Sequence, residues 1–125
     1  MASSKRGRLN IKVTDAKVLC AVLSVLRENG GPLPRIKVKE LVEEKIGPTL
    51  TVLEREEIGT ARRYPRWEGS FNQKSTEFVK AGFLEKNNGE WRITPAGVNA
   101  LALREMNLLE EANEKYKLWE RSRLE

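Results

Sequence analysis

Apolar residues recur along most of this chain at helical spacing, and Gly/Pro-rich interruptions cut the pattern into blocks. Val18, Leu19, Val22, Leu23 and Leu26 share one side of a helix. Thr14 and Asp15 supply an N-cap and a negative first turn, and Asn29-Gly30-Gly31-Pro32 stops the run. The spacing therefore predicts a helix over Asp15–Glu28. Leu33–Ile36, beside Pro32 and Pro34, reads as a short extended segment that can add a strand to a later hairpin. Val38, Leu41, Val42 and Ile46 form a second stripe, which predicts a helix over Lys37–Lys45 ended by Gly47-Pro48. Leu50, Leu53 and Ile58 among charges predict a short third helix within Thr49–Ile58, closed by Gly59.

Thr60–Trp67 is Arg-rich, contains Pro65 and reads as a loop. Phe71, Phe78 and Val79 anchor a further helix that starts at Glu68 or Ser70 and runs to Ala81. Gly82 stands where a left-handed residue ends a helix. The period then changes to two. Phe83–Lys86 and Glu90–Ile93 predict strands joined by a three-residue loop, Asn87-Asn88-Gly89. Leu84, Trp91 and Ile93 fall on one face, with Glu90 and Arg92 on the other. Thr94-Pro95 is a strong helix start, and a last helix is predicted from Pro95 to near Leu124. Its second half carries Leu109, Ala112, Tyr116 and Trp119 at helical spacing. Met1–Lys12 is basic with little apolar content and reads as a flexible arm closing in a short strand at Ile11–Val13.

Helix, short strand, helix, turn, helix, hairpin and closing helix is the order of a winged helix-turn-helix. The expected fold class is thus mainly α with a small β-hairpin, a winged helix-turn-helix with a long C-terminal helix. The expected division is a basic arm at 1–13, the domain at 14–103 and a helical extension or linker at 104–125.

A chain of 125 residues fits one domain and can bury a core without disulfides or metals. The single cysteine, Cys20, sits in an apolar helix and reads as an inert thiol. Histidine is absent, which excludes a Cys/His zinc site and the common His-based acid–base devices. No phosphate loop, metal-ligand cluster or nucleophile–base pair stands in the sequence. The expectation is therefore a binding module with no catalytic residue, no metal and no cofactor. No apolar run approaches the roughly 20 residues that span a bilayer, and no signal peptide is evident. No membrane partner and a cytoplasmic location are expected.

The net charge of +5 is uneven. Residues 1–39 hold nine Lys/Arg against two acids, 40–60 hold two against six, 61–92 hold seven against four, and 93–125 hold five against six. Two basic blocks separated by an acidic one suggest a positive side, whose usual partner is nucleic acid; the bland reading is a solvated basic surface. On the helix before the hairpin, Ser70, Asn72, Gln73, Lys74, Ser75, Glu77 and Lys80 supply polar groups suited to a major groove. Asn and Gln bond adenine edges, and Lys bonds guanine or phosphate. Arg62, Arg63 and Arg66 suit phosphates where that helix enters the groove, and Lys86 and Arg92 suit phosphates beside the wing. Tyr64 and Trp67 are candidates for a base or methyl contact, with packing as the plainer reading.

One segment carries a resemblance. Lys80-Ala81-Gly82-Phe83-Leu84-Glu85, followed by Gly89-Glu90-Trp91-Arg92-Ile93-Thr94-Pro95-Ala96-Gly97, is similar to the pattern that follows the recognition helix in Mrr-type restriction proteins. The acidic, Leu-containing stretch Thr49–Gly59 is similar to that family's insertion before the same helix. The chain from Asp15 to Ala102 thus resembles the family's N-terminal winged-helix domain. Gln73 is a departure, since relatives often carry Trp within that helix. The resemblance implies a DNA-reading module that is usually joined to a nuclease, often one directed at modified DNA. The terminal Leu124-Glu125 looks like a cloning scar, so the chain reads as the DNA-recognition domain of a larger, modification-dependent or ordinary, restriction endonuclease. Two other readings stand beside it: a small transcriptional regulator, and a protein-interaction winged helix that forms a homodimer through the stripe of its C-terminal helix.

Overall fold

The computed structural model describes residues 2–102 and 105–124, with side chains at 13–102, 110 and 112–123. The apolar stripe centred on Leu19 and Leu23 belongs to a helix longer than its spacing predicts. This helix, α1, spans Ala2–Asn29. Residues 2–13, expected as an arm with a strand at Ile11–Val13, belong to this helix. Residues 2–13 contain no proline, so nothing stops the helix from extending toward the N-terminus. Thr14 and Asp15 are therefore interior residues rather than caps. Both are buried, and both turn to other elements.

Short segments follow: β1 (Leu33–Pro34), α2 (Arg35–Ile46), a 3-10 turn at Gly47–Thr49, and α3 (Val52–Arg55). The third helix is one turn only, because Thr51 and Glu54 close a capping box at its start and the chain then becomes extended. That extension is β2 (Glu57–Ile58), which pairs with β3 (Tyr64–Pro65) in a small antiparallel ribbon. The ribbon occupies part of what reads as helix and loop in the sequence. Next come α4 (Arg66–Lys80), β4 (Leu84–Asn87), β5 (Glu90–Ile93), α5 (Pro95–Ala100) and α6 (Glu105–Leu124). The protein is thus mainly helical with a small antiparallel sheet. Among the described residues, no helix is long and apolar enough to cross a membrane.

The sheet order is β1-β5-β4, with Leu33 opposite Trp91 and Leu84 opposite Ile93. The short extended segment does join the hairpin, as its sequence suggests. The hairpin turn is tighter than expected: only Asn88 and Gly89 lie outside the strands, at φ 51° and 80°. Two residues at positive φ suit the right-handed twist of the flanking strands. At the end of α4, Gly82 at φ 88° lets Phe83 N–H reach Phe78 O and Gly82 N–H reach Val79 O. Gly97 is required for another reason. A Cβ there would collide with Phe83 O and lie 2.8 Å from Ile93 Cγ1.

The last helix is broken. Thr94 caps α5 by accepting from Gly97 N–H, but the helix ends at Ala100. Ala100 is buried in the core, as is Ala112 of α6. α5 meets α1, whereas α6 lies across both α1 and α4. One straight helix cannot cover both places, so tertiary packing overrides the continuous pattern. Ala112, Tyr116 and Trp119 face the chain's own helices: Lys80 Nζ lies 5.8 Å from the Tyr116 ring centre and 4.5 Å from that of Trp119. The side chain of Leu109 lies outside the described residues.

The core joins Val18, Leu19, Val22, Leu23 and Leu26 of α1 to Val38 and Val42 of α2, Phe71 and Phe78 of α4, and Trp91 of β5. Cys20 is half-buried and packs against it. Trp91 stacks on Phe71 at 5.2 Å and 16°, and Trp67 meets Phe71 edge-on at 6.4 Å.

Polar residues tie α3 to α1. Thr14 Oγ1 donates to Glu54 Oε2 (2.7 Å), and Lys17 Nζ and Thr51 N–H donate to Glu54 Oε1 (2.8 and 2.9 Å). Burial alone would raise the Glu54 pKa, but the hydrogen bonds from Lys17, Thr51 and Thr14 outweigh it and hold the carboxyl below its ordinary value. A lowered folded-state pKa contributes stability that is complete above the ordinary carboxylate value and is lost as pH falls through the folded value. Glu54→Ala is expected to cost about 3 kcal/mol at neutral pH, since it leaves Lys17 without its charge partner. Urea melts across the acidic range check this: the gap between the two chains should close as pH falls, and a constant gap would refute the assignment.

Candidate nucleic-acid interface

α4 is held on several sides, and what remains open defines the site. Trp67, Phe71, Ser75 and Phe78 are buried. Glu68, in the first turn, is buried too and pairs with Lys39 of α2 at 2.9 Å. Asn72, Gln73 and Thr76 are exposed. Their spacing of one, three and four residues places them on one outward strip.

This strip is narrower than the sequence implies. Ser70 and Lys74 turn toward α1, where Ser70 hydrogen-bonds Asp15 and Lys74 Nζ lies 3.7 Å from the Asp15 carboxylate. Glu77 joins that edge through Lys74 at 3.2 Å. Burial raises the Asp15 pKa, and the Ser70 hydrogen bond and Lys74 charge offset it only in part. Ser75 is 2% exposed and accepts from Lys86 on the opposite edge. Ser70, Lys74, Ser75 and Glu77 therefore brace the helix rather than form its outer face. Lys80 is covered by the α6 aromatics. Thr76 takes their place, a residue that the 3.6-residue period would have found beside Asn72 and Gln73.

The ends of the strip are framed. At the N-terminal end the Tyr64 ring and Ile58 of the β2–β3 ribbon lie over Gly69. Trp67 is buried against Phe71, so of the two aromatic candidates only Tyr64 lies near the surface of the strip. Arg63 donates to Glu57 O (3.0 Å) and Gly59 O, which ties it to the ribbon turn. Arg66 donates to Glu56 Oε1 at 3.1 Å. Arg62 is the most available of the three. Its side chain is 79% exposed and touches a carboxylate only at 3.7 Å, to Glu68, a weak and easily screened pair.

The hairpin side adds a residue that sequence reasoning missed. Arg35 begins α2, not an extended segment, and its guanidinium donates to Asn72 Oδ1. That bond ties the Asn72 amide to Arg35 and takes one of the two acceptor positions of its oxygen. Gln73 keeps both ends of its amide, with no protein partner among the described residues. Lys86 is exposed and reaches along the sheet to donate to Ser75 Oγ. Arg92 lies on the other face of the hairpin, opposite Glu85, and is not brought together with Lys86.

Compared with models of known families, with curated proteins and with solved structures, the chain matches none.

Proposed function

We propose that this chain is a winged helix-turn-helix module that binds double-stranded DNA, with α4 in the major groove and the β4–β5 hairpin as the wing. The observation that carries the reading is the open strip Asn72-Gln73-Thr76, bordered by the cations Arg35 and Arg62. An uncharged strip with amide and hydroxyl groups suits base edges, and cations at its margins suit phosphates. The element order supports the same fold, and the resemblance of Lys80–Gly97 to Mrr-type proteins supports a role as the DNA-recognition domain of a restriction endonuclease acting in the cytoplasm. A preference for modified DNA would place the methyl group near Tyr64, because Trp67 is buried.

Titration of labelled duplexes at several salt concentrations tests this reading. Affinity should fall by about 0.9 log units per log unit of salt for each phosphate neutralised. Absence of binding at low salt contradicts it.

A further inference from the structure

Two cations reach neighbouring positions on one edge of α4, Arg35 at Asn72 and Lys86 at Ser75. Arg35 comes from the first turn of α2, and its backbone N–H donates to Gly89 O at 3.1 Å, which ties this corner to the hairpin turn. Its guanidinium lies 5.5 Å from the centre of the Phe71 ring. Lys86 comes from β4. Its Nζ lies 4.5 Å from the centre of the Trp91 ring and donates to Ser75 Oγ at 3.0 Å. Phe71 and Trp91 are themselves stacked, so both cations rest on one aromatic pair.

Neither cation has an ion pair among the described residues, whereas Arg62, Arg63, Arg66 and Lys74 each do. Burial, and then the Arg35 charge, push the Lys86 ammonium below its usual value. Two like charges held this way are unfavourable in the absence of an anion. An oxyanion accepting from both removes the repulsion and gains charge-assisted hydrogen bonds. The aromatic stack and the bonds to Asn72 and Ser75 hold the two donors in place before any ligand arrives.

Resting on the duplex-binding reading, we propose that Arg35 and Lys86 together grip a single backbone phosphate of the duplex, beside the base pairs that α4 faces. The contact is with the phosphodiester and carries no sequence information. It fixes the register of α4 through α2 and the wing at once.

The test measures duplex affinity against salt for the wild type, Arg35→Gln, Lys86→Met and the double variant. Methionine keeps an unbranched stem over Trp91, and thermal melts check each fold. Lys45→Gln, at the far end of α2, serves as the control for loss of one charge. Each single variant should flatten the salt slope by about 0.9 and weaken all duplexes alike. The double variant should lose no more slope than either single, because neither cation alone retains the phosphate and only one phosphate is at stake. Lys45→Gln should leave the slope unchanged. A wild type that binds while both single variants keep its slope overturns the shared grip and leaves the duplex reading intact. Slopes that add in the double variant also overturn it. A wild type that binds no duplex overturns both. Independently of any variant, the Lys86 ammonium titration followed by NMR should move upward on duplex binding, and an unmoved titration in the complex overturns the grip.

Discussion

Phe71→Ala is expected to lower the free energy of unfolding by about 3–5 kcal/mol, the range for truncating a buried Phe. Phe71 is fully buried on the inner side of α4 and touches the edge of Trp67 and the face of Trp91. It thus joins α4 to the hairpin, and its ring also lies beneath the Arg35 guanidinium. Small domains have total stabilities of about 5–15 kcal/mol, so this loss takes a large share. Chemical denaturation of the two chains measures it. A loss below about 1 kcal/mol would show that the ring fills no essential place, since such a loss is typical of surface substitutions.

Gln73→Ala should weaken binding to the preferred duplex by about 1–3 kcal/mol, roughly fivefold to 150-fold, while leaving weak binding to unrelated duplexes nearly unchanged. The reason is the amide count on the strip. The Asn72 amide is held by Arg35, so Gln73 is the amide free to turn both its donor and its acceptor to one adenine edge. Asn72→Ala should behave differently: it frees Arg35 and weakens all duplexes to a similar extent. Competition binding after selection from random duplexes separates the two. If Asn72→Ala relaxes sequence preference and Gln73→Ala does not, the two roles are reversed.

Much of the architecture was legible because local signals agreed with packing. Thr94-Pro95 starts α5 and Gly82 ends α4, each through backbone chemistry contained within a few residues, and Leu33, an extended residue between prolines, joins the hairpin opposite Trp91. The failures are places where a distant element decides. Thr14 and Asp15 have the composition of a cap, yet Glu54 and Ser70 engage them from other parts of the chain. The break between α5 and α6 has no proline at 101–104 to announce it. The β2–β3 ribbon is two residues per strand, too short for any periodicity to register.

The site was legible in its helix and not in its edges. Asn72 and Gln73 follow from being polar on a helix anchored by Phe71 and Phe78. Ser70, Lys74 and Ser75 are just as polar, and only the positions of Asp15 and Lys86 reveal that they face inward. Arg35 stood outside every motif, since its role depends on a residue 37 positions away.

Chemical-shift mapping of the labelled chain with a duplex selected from random sequences tests the central claim most directly. Shifts are expected at Asn72, Gln73, Thr76, Arg35 and Arg62, and at the hairpin tip Asn87 and Asn88. Glu43, Glu44 and Lys45, at the opposite end of α2, should remain still. Shifts confined to α6 or to the β2–β3 ribbon, with the strip on α4 unchanged, would contradict the account.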